Sequence, residues 1–364
     1  MLTLRGKINA YLLTQMNAEQ RISAFVSLGE EINAVLTQNS AGLNIRQIQL
    51  GVLVKELYRS NSWFTEKNVL KALSGIANML RYESLNAWLS HYEINEDKGL
   101  TIGVVMAGNI PAVGFHDFLC VLVSGNSITA KLSSDDRLLL PALAAMLTAI
   151  EPQFADRIHF TEAKMLPFNA LIATGSNNSA RYFEYYFSKY PRLIRKNRTS
   201  VAVIHGTESE EELKALFSDI FSYFGMGCRN VTHLFLPHNY DIPALCALSI
   251  DWTSIKDHSR YFNNYEYHKA GFLINSLPHY DTGFFLLRED QSLFSPISVL
   301  HYSFYANLDD VKRRITEHSD DIQCVVSANS FFEATVEMGQ TQHPGPEVYA
   351  DGVDTLNFVL TLAP

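Results

Sequence analysis

Cys228 stands in the segment Gly225-Met-Gly-Cys-Arg-Asn, behind two glycines and directly before Arg229. Glycine permits close backbone approach and unusual dihedrals, and a neighbouring guanidinium favours thiolate over thiol, so the segment suits a covalent nucleophile. A buried structural cysteine in a tight loop would use the same residues. Asn109, in Ala107-Gly-Asn-Ile-Pro111, falls where the apolar run LTIGVVMA ends and a helix is expected. Open α/β sheets bind ligands at the carboxyl ends of their strands, and an amide placed there can donate to a developing oxyanion. Taken alone, Asn109 reads more readily as an ordinary helix N-cap. Lys131 ends the strand NSITAK and precedes Leu132-Ser133-Ser134, a cation and hydroxyls able to hold ribose or phosphate, or merely a solvated strand end. Thr174-Gly175-Ser176 joins the strand ALIAT to a helix, where it can set a helix N-terminus against a pyrophosphate or act as a capped turn. Cys120, Cys246 and Cys324 lie inside apolar helix or strand patterns and read as packing residues.

These residues need elements to hold them. Residues 1 to about 95 read as helical: Leu70, Leu73, Ile76, Met79 and Leu80 share one face of a helix that Thr65 can cap. From Gly99 the texture alternates. LTIGVVMAG, NSITAKLS, RIHFT, NALIATGS and TSVAVIHG read as strands, separated by helical stretches such as DDRLLLPALAAMLTAI and NSARYFEYYFSKY. Such alternation predicts βαβ units and a mainly parallel sheet. A second unit begins with the capping box Ser209–Glu212 ahead of the stripe Leu213, Leu216, Phe217, Ile220, Phe221, Phe224. VTHLFLP, GFLIN, FFLLRE, ISVLHYSFYA and DIQCVVSAN are its expected strands, DDVKRRITEHS a helix, and LNFVLTL a short strand returning to the sheet or crossing to a partner in a homo-oligomer. The expected division is a helical region at 1–95, a nucleotide-binding α/β domain at 96–203, a catalytic α/β domain at 204–345 and a C-terminal strand segment at 346–364.

Composition narrows the function classes. In 364 residues, 47% are hydrophobic and 18% charged, which excludes disorder as the dominant state. Lys plus Arg number 29 against 38 for Asp plus Glu, a net charge of −9, so a broad nucleic-acid footprint has no basic surplus to stand on. Four cysteines without CxxC spacing make neither a disulfide scaffold nor a metal module. Charged and polar residues interrupt MLTLRGKINAYLLTQMNAEQR before a secretory signal can form, and Ile110–Ile128 is broken by His116, Asp117 and three turn-forming residues, a poor membrane span. The expected location is the cytoplasm.

There is no P-loop, strand-linked GxGxxG, HExxH or GxSxG. The order of the weak signals is the informative feature. AGNIP, then SGNSITAKLS, then ATGS before a helix, then an amphipathic helix running into GxGC, resembles the aldehyde dehydrogenase superfamily, whose blocks are PWNFP, AGNTVVLKPSE, FTGS and GQxC. Leu293-Phe-Ser-Pro296 resembles its E-x-F-G-P block. The likeness covers about residues 100 to 300, and GMGCRNVTHLFLP is most similar to the acyl-CoA reductase branch, the LuxC-like fatty acyl reductases. It implies an aldehyde-dehydrogenase-like α/β fold of two mainly parallel units with a helical N-terminal region. It implies Cys228 as the nucleophile that forms an acyl thioester, and Asn109 with the Cys228 N–H as oxyanion donors. Met106, Ala107, Lys131, Ser133, Ser134, Gly175 and Ser176 are implied at the cofactor.

Two departures refine this. Leu193-Ile-Arg-Lys-Asn-Arg-Thr199 carries no carboxylate where aldehyde-oxidising members have the glutamate of ELGG, so no general base is available to hydrolyse the acyl-enzyme. Ser292 stands where the E-x-F-G-P glutamate would contact the nicotinamide ribose. The implied activity is NAD(P)H-dependent reduction of an acyl-CoA, in the first instance a fatty acyl-CoA, to the aldehyde. Its rivals are the same chemistry run from aldehyde to acyl-CoA, and a non-catalytic acyl-binding relative. Ser134 replaces the glutamate of KPSE, which removes a repulsion towards a 2′-phosphate and favours NADPH over NADH, although Asp135 and Asp136 follow closely.

Overall fold

The computed structural model describes residues 16–37, 42–94, 99–328 and 335–363. The expected boundary at 95/96 and most of the stretch read for a secretory signal lie outside the described residues. Asn17 caps α1 (Ala18–Leu36) and Asn44 caps α2 (Ile45–Ser60), each with a glutamine three residues on that returns a bond to the cap's own N–H. Thr65 caps α3 (Glu66–Met79), and α4 (Tyr82–Leu89) follows. These helices share one apolar core with the sheet beneath them, Phe25, Leu28 and Leu73 joining Ile102, Val104 and Ile128. Gly29 lets α1 approach closely, since a Cβ there would stand 2.7 Å from that of Leu80.

The first unit comprises residues 1–196 and 345–364. Its sheet has β1 (Thr101–Val105), β2 (Ser127–Lys131), β3 (Ile158–Thr161), β4 (Ala170–Thr174) and β5 (Arg192–Arg195), all parallel, in the order β3-β2-β1-β4-β5. The crossovers carry α5 (Phe115–Val123), α6 (Leu139–Ile150) and α7 (Asn177–Tyr186). The chain walks outward from β1 through β2 and β3, then returns to the other side of β1 at β4. That reversal creates a topological switch point between β1 and β4.

The C-terminal segment is a helix, α12 (Thr355–Thr361), not a strand. Alternation of Leu356, Phe358, Leu360 and Leu362 suggests a strand, but Asp354 caps a helix by accepting from Asn357 N–H, and Leu356, Val359 and Leu362 are the residues that enter the core. Arg195, 4% exposed, fastens it: one guanidinium nitrogen donates to Asp117 Oδ2 at 2.6 Å and another to Thr355 Oγ1 at 2.7 Å.

The second unit is residues 197–344. It contains β6 (Thr199–Val203), α8 (Glu210–Phe221), β7 (Val231–Pro237), α9 (Ile242–Ala247), α10 (Ser259–Ile274), β8 (Tyr280–Asp281), β9 (Leu286–Glu289), β10 (Val299–Tyr305), α11 (Leu308–Glu317), β11 (Ile322–Val326) and β12 (Thr335–Val336). The strand order is β12-β11-β6-β7-β10-β9-β8, parallel except for β8 against β9. Two expectations are corrected here. TSVAVIHG does not close the first sheet: β6 pairs with β7 and β11, so the division falls at 196/197 and not at 203. An all-buried strand announces that it is central but not to which sheet. GFLIN is the end of α10 and not a strand, with Phe272 buried while Leu273 and Ile274 are exposed. The capping box at Ser209 forms as its spacing predicts, Ser209 N–H donating to Glu212 at 2.7 Å.

Candidate functional site

In the first unit the register aligns Val105 with Lys131 on one side and Ala173 on the other. The chain therefore leaves β1, β2 and β4 at one edge, which brings together Met106, Ala107, Lys131 and the Thr174–Ser176 turn. Met106 N–H donates to the Lys131 carbonyl at 3.0 Å. Gly108 presses against the following loop, since a Cβ would stand 2.5 Å from Ser133 Oγ. Lys131, Ser134 and Asn109 are exposed and Ser133 is half-buried.

Asn109 does not cap α5, whose N-cap position is Gly114. Between them Ala112 adopts a left-handed conformation, φ 52°, a strain of about 1–2 kcal/mol for a residue with a Cβ. Asp136 holds it there, Oδ2 accepting from Ala112 N–H at 2.7 Å. Burial pushes the Asp136 carboxyl above its ordinary range, against the pull of backbone donors. Asp136 is thus turned inward to the Asn109 loop, while Asp135 stays exposed. Ser176 does cap α7, accepting from Ser179 N–H at 3.2 Å. Gly175 is required beside it because a Cβ would lie 2.8 Å from Ser179 Cβ.

In the second unit Cys228 is a half-buried thiol outside any disulfide, in the link between α8 and the amino end of β7. Tyr223 and Phe224 are both left-handed, at φ 52° and 59°, and Gly225 continues at φ 78°. Phe224 is kept in place by a tilted contact with the His258 ring, centroids 4.3 Å apart. Ser200 Oγ donates to the Cys228 carbonyl at 3.0 Å. One Arg229 guanidinium nitrogen lies 3.3 Å from the Cys324 sulfur, so this charge is directed at least in part to a different thiol from the one the sequence suggests.

The loop carrying Ser292 is braced by groups that sequence reasoning passed over. His233 and His301 are register partners on β7 and β10. Both Nδ1 atoms reach the Ser292 carbonyl, at 2.9 and 3.1 Å, and a carbonyl only accepts, so both rings carry the proton on Nδ1. His233 Nε2 then accepts from the Ser303 hydroxyl at 2.8 Å. Burial depresses His233 to about 3 and lowers His301 as well. The Ser292 hydroxyl donates to the Phe294 carbonyl at 3.0 Å, an internal use in the place where the family motif has a carboxylate. Two histidines paired across neighbouring strands were the only available signal.

Among the described residues no group of three His, Cys, Asp or Glu side chains is arranged to hold a metal, and no helix is long and apolar enough to cross a membrane.

A sequence profile of the acyl-CoA reductase (LuxC) family matches residues 31–223, just over half the chain, ending short of Cys228. Among solved structures, an NAD+ complex of aldehyde dehydrogenase from Bacillus cereus is similar over 86% of this chain and 72% of its own, with TM-score 0.59 and 12% identity. A putative aldehyde dehydrogenase from Burkholderia cenocepacia aligns over 88% and 75%, with TM-score 0.60 and 10% identity. An aldehyde dehydrogenase from Physcomitrella patens, in complex with the product succinate, aligns over 86% and 78%, with TM-score 0.57 and 13% identity. At these identities the likeness is one of fold. No curated protein sequence matches.

Proposed function

Because the chain belongs to the acyl-CoA reductase (LuxC) family of oxidoreductases, we propose that it reduces an acyl-CoA, in the first instance a fatty acyl-CoA, to the aldehyde through a thioester on Cys228. The Cys228 thiolate attacks the thioester carbonyl of the substrate, and collapse of the tetrahedral intermediate expels the CoA thiolate, leaving the acyl group on sulfur. The resemblance to the aldehyde dehydrogenases assigns the oxyanion of that intermediate to the Cys228 N–H and to the Asn109 amide. When bound, a reduced nicotinamide supplies the hydride that turns the acyl thioester into aldehyde and returns the cysteine thiolate.

The observation that carries the reading is the make-up of residues 193–199. Leu193, Ile194 and Arg195 lie in β5, Arg195 is committed to Asp117 and Thr355, and no carboxylate stands in the stretch. Without a base to activate water, the acyl-enzyme waits for a hydride or a thiol. This favours acyl-CoA reduction over oxidation of aldehyde to acid.

The residues at the β1, β2 and β4 edge fit a dinucleotide. The exposed Lys131 ammonium, the Ser134 hydroxyl and the N-terminus of α7 beside Gly175 and Ser176 suit its phosphates and ribose, with Met106 and Ala107 lining the turn. NADPH is the proposed donor, with NADH second, because Ser134 is exposed where the motif has a glutamate and Asp136 is held by Ala112. The test is a screen of short to long acyl-CoA chains with each reduced nucleotide, following nicotinamide absorbance and trapping the aldehyde. Consumption of nucleotide with aldehyde formed supports the reading; thioester hydrolysis to free acid without consumption overturns it.

A further inference from the structure

Asn230 lies two residues beyond Cys228 and is fully buried. All of its polar groups are engaged around the nucleophile. Its side-chain Oδ1 accepts from Gly227 N–H at 2.7 Å. Its Nδ2 donates to the carbonyls of Asp219 and Ser222, both at 2.9 Å, tying the loop to the last turn of α8. Its own N–H donates to the Gly227 carbonyl at 3.0 Å, and its carbonyl accepts from Ser200 N–H at 3.1 Å.

The consequence follows from peptide geometry. A trans peptide is planar, with its C=O and N–H pointing in opposite directions. Drawing the Gly227 carbonyl towards the main-chain N–H of Asn230 therefore turns the Cys228 N–H away from Asn230, and the Asn230 side chain, which holds the Gly227 N–H and the end of α8, fixes the loop in which that main-chain bond forms. The next peptide is fixed from the other side, where the Cys228 carbonyl accepts from Ser200 Oγ. We propose that Asn230 is a positioning residue, whose side chain clamps Gly227 to the end of α8 and thereby aims the Cys228 N–H at the thioester oxygen. This rests on the reading of Cys228 as the nucleophile. The two left-handed residues Tyr223 and Phe224 need such a clamp, because their conformation is otherwise disfavoured.

Two reactions of the same thiol separate positioning from mere reactivity. Acylation by acyl-CoA builds an oxyanion; alkylation by iodoacetamide builds none. In the full-length protein, Asn230→Ala is expected to slow acylation of Cys228 by about 10²–10³, while its alkylation changes by less than about fivefold. Unchanged acylation, or equal slowing of both, overturns the proposal. Asn230→Asp guards against simple misfolding. Its carboxylate still accepts from Gly227 but meets the Asp219 and Ser222 carbonyls without a donor, and protonation restores one. The ratio of acylation to alkylation cancels the thiolate fraction, so it is expected to rise as pH falls in this variant and to stay flat in the wild type. A flat ratio in the variant overturns the proposal. Wild-type protein that takes no acyl group on Cys228 overturns the functional reading itself, a result distinct from wild-type acylation that Asn230→Ala leaves untouched.

Discussion

Asn109 and Ser134 owe their proposed roles to what surrounds them. Asn109 is exposed, ahead of the left-handed Ala112 that Asp136 holds and ahead of Gly114, which takes the N-cap position of α5. Removing one oxyanion donor typically costs on the order of 10²–10³ in rate. Asn109→Ala is therefore expected to lose kcat on that scale with little change in the nucleotide Kd, measured by steady-state kinetics and fluorescence titration. Unchanged kcat would return Asn109 to a loop role. Ser134→Glu places a carboxylate at the exposed end of the Lys131 loop, and is expected to reduce kcat/KM for NADPH more than for NADH. A wild type that prefers NADH about tenfold would reverse the assignment. At this scale the candidates were picked out by their order along the chain, Asn109 and Cys228 each behind a glycine and Lys131 closing a strand. The bonds of Asp136 and Asn230 were not legible, since a buried carboxylate or amide acts through main-chain groups of neighbouring loops, which residue types do not reveal.

The pair of strands β7 and β10 carries the most direct pH dependence. His233 falls from 6.5 to about 3 because burial disfavours its cation. A depressed pKa means that the folded chain holds the neutral ring, so this contribution is complete above pH 6.5 and is lost as pH falls from there towards 3. The loss approaches 1.4 kcal/mol per pH unit, or about 2–3 kcal/mol at pH ~4.5. Urea unfolding followed across that range is expected to show this slope, and His233→Asn, which keeps a donor for Ser292 but cannot titrate, to flatten it. An equal slope in the variant would place the titration elsewhere. Elements were largely legible where caps and stripes agree, as at Thr65 and Ser209. The misreadings share one cause. GFLIN and LNFVLTL are short apolar runs whose period is ambiguous, and a cap or a single buried face decided both for the helix.

For the whole molecule, the division at 196/197 and the return of residues 345–364 to the first unit depend on contacts that span the chain. Arg195, Asp117 and Thr355 form one such contact, buried and far apart in sequence. Breaking a buried ion pair from one side leaves the other charge uncompensated, at about 3–5 kcal/mol. Arg195→Ala is expected to lower the stability of the first unit by that order and to speed amide exchange across Thr355–Thr361; exchange at the wild-type rate would contradict the fastening role. Pairings of this kind cannot be read from periodicity, which is why the fold class was legible and the ownership of β6 and α12 was not.

In the proposed reaction Cys228 carries the acyl group and no water-activating base removes it. The most direct measurement is the intact mass of the protein after incubation with acyl-CoA alone, with the acylated site located by peptide mapping. One acyl group is expected on Cys228, stable until reduced nucleotide is added and then discharged as aldehyde, with no acylation in Cys228→Ala. Acylation that persists in Cys228→Ala, or an acyl-enzyme that hydrolyses to free acid without nucleotide, would contradict it.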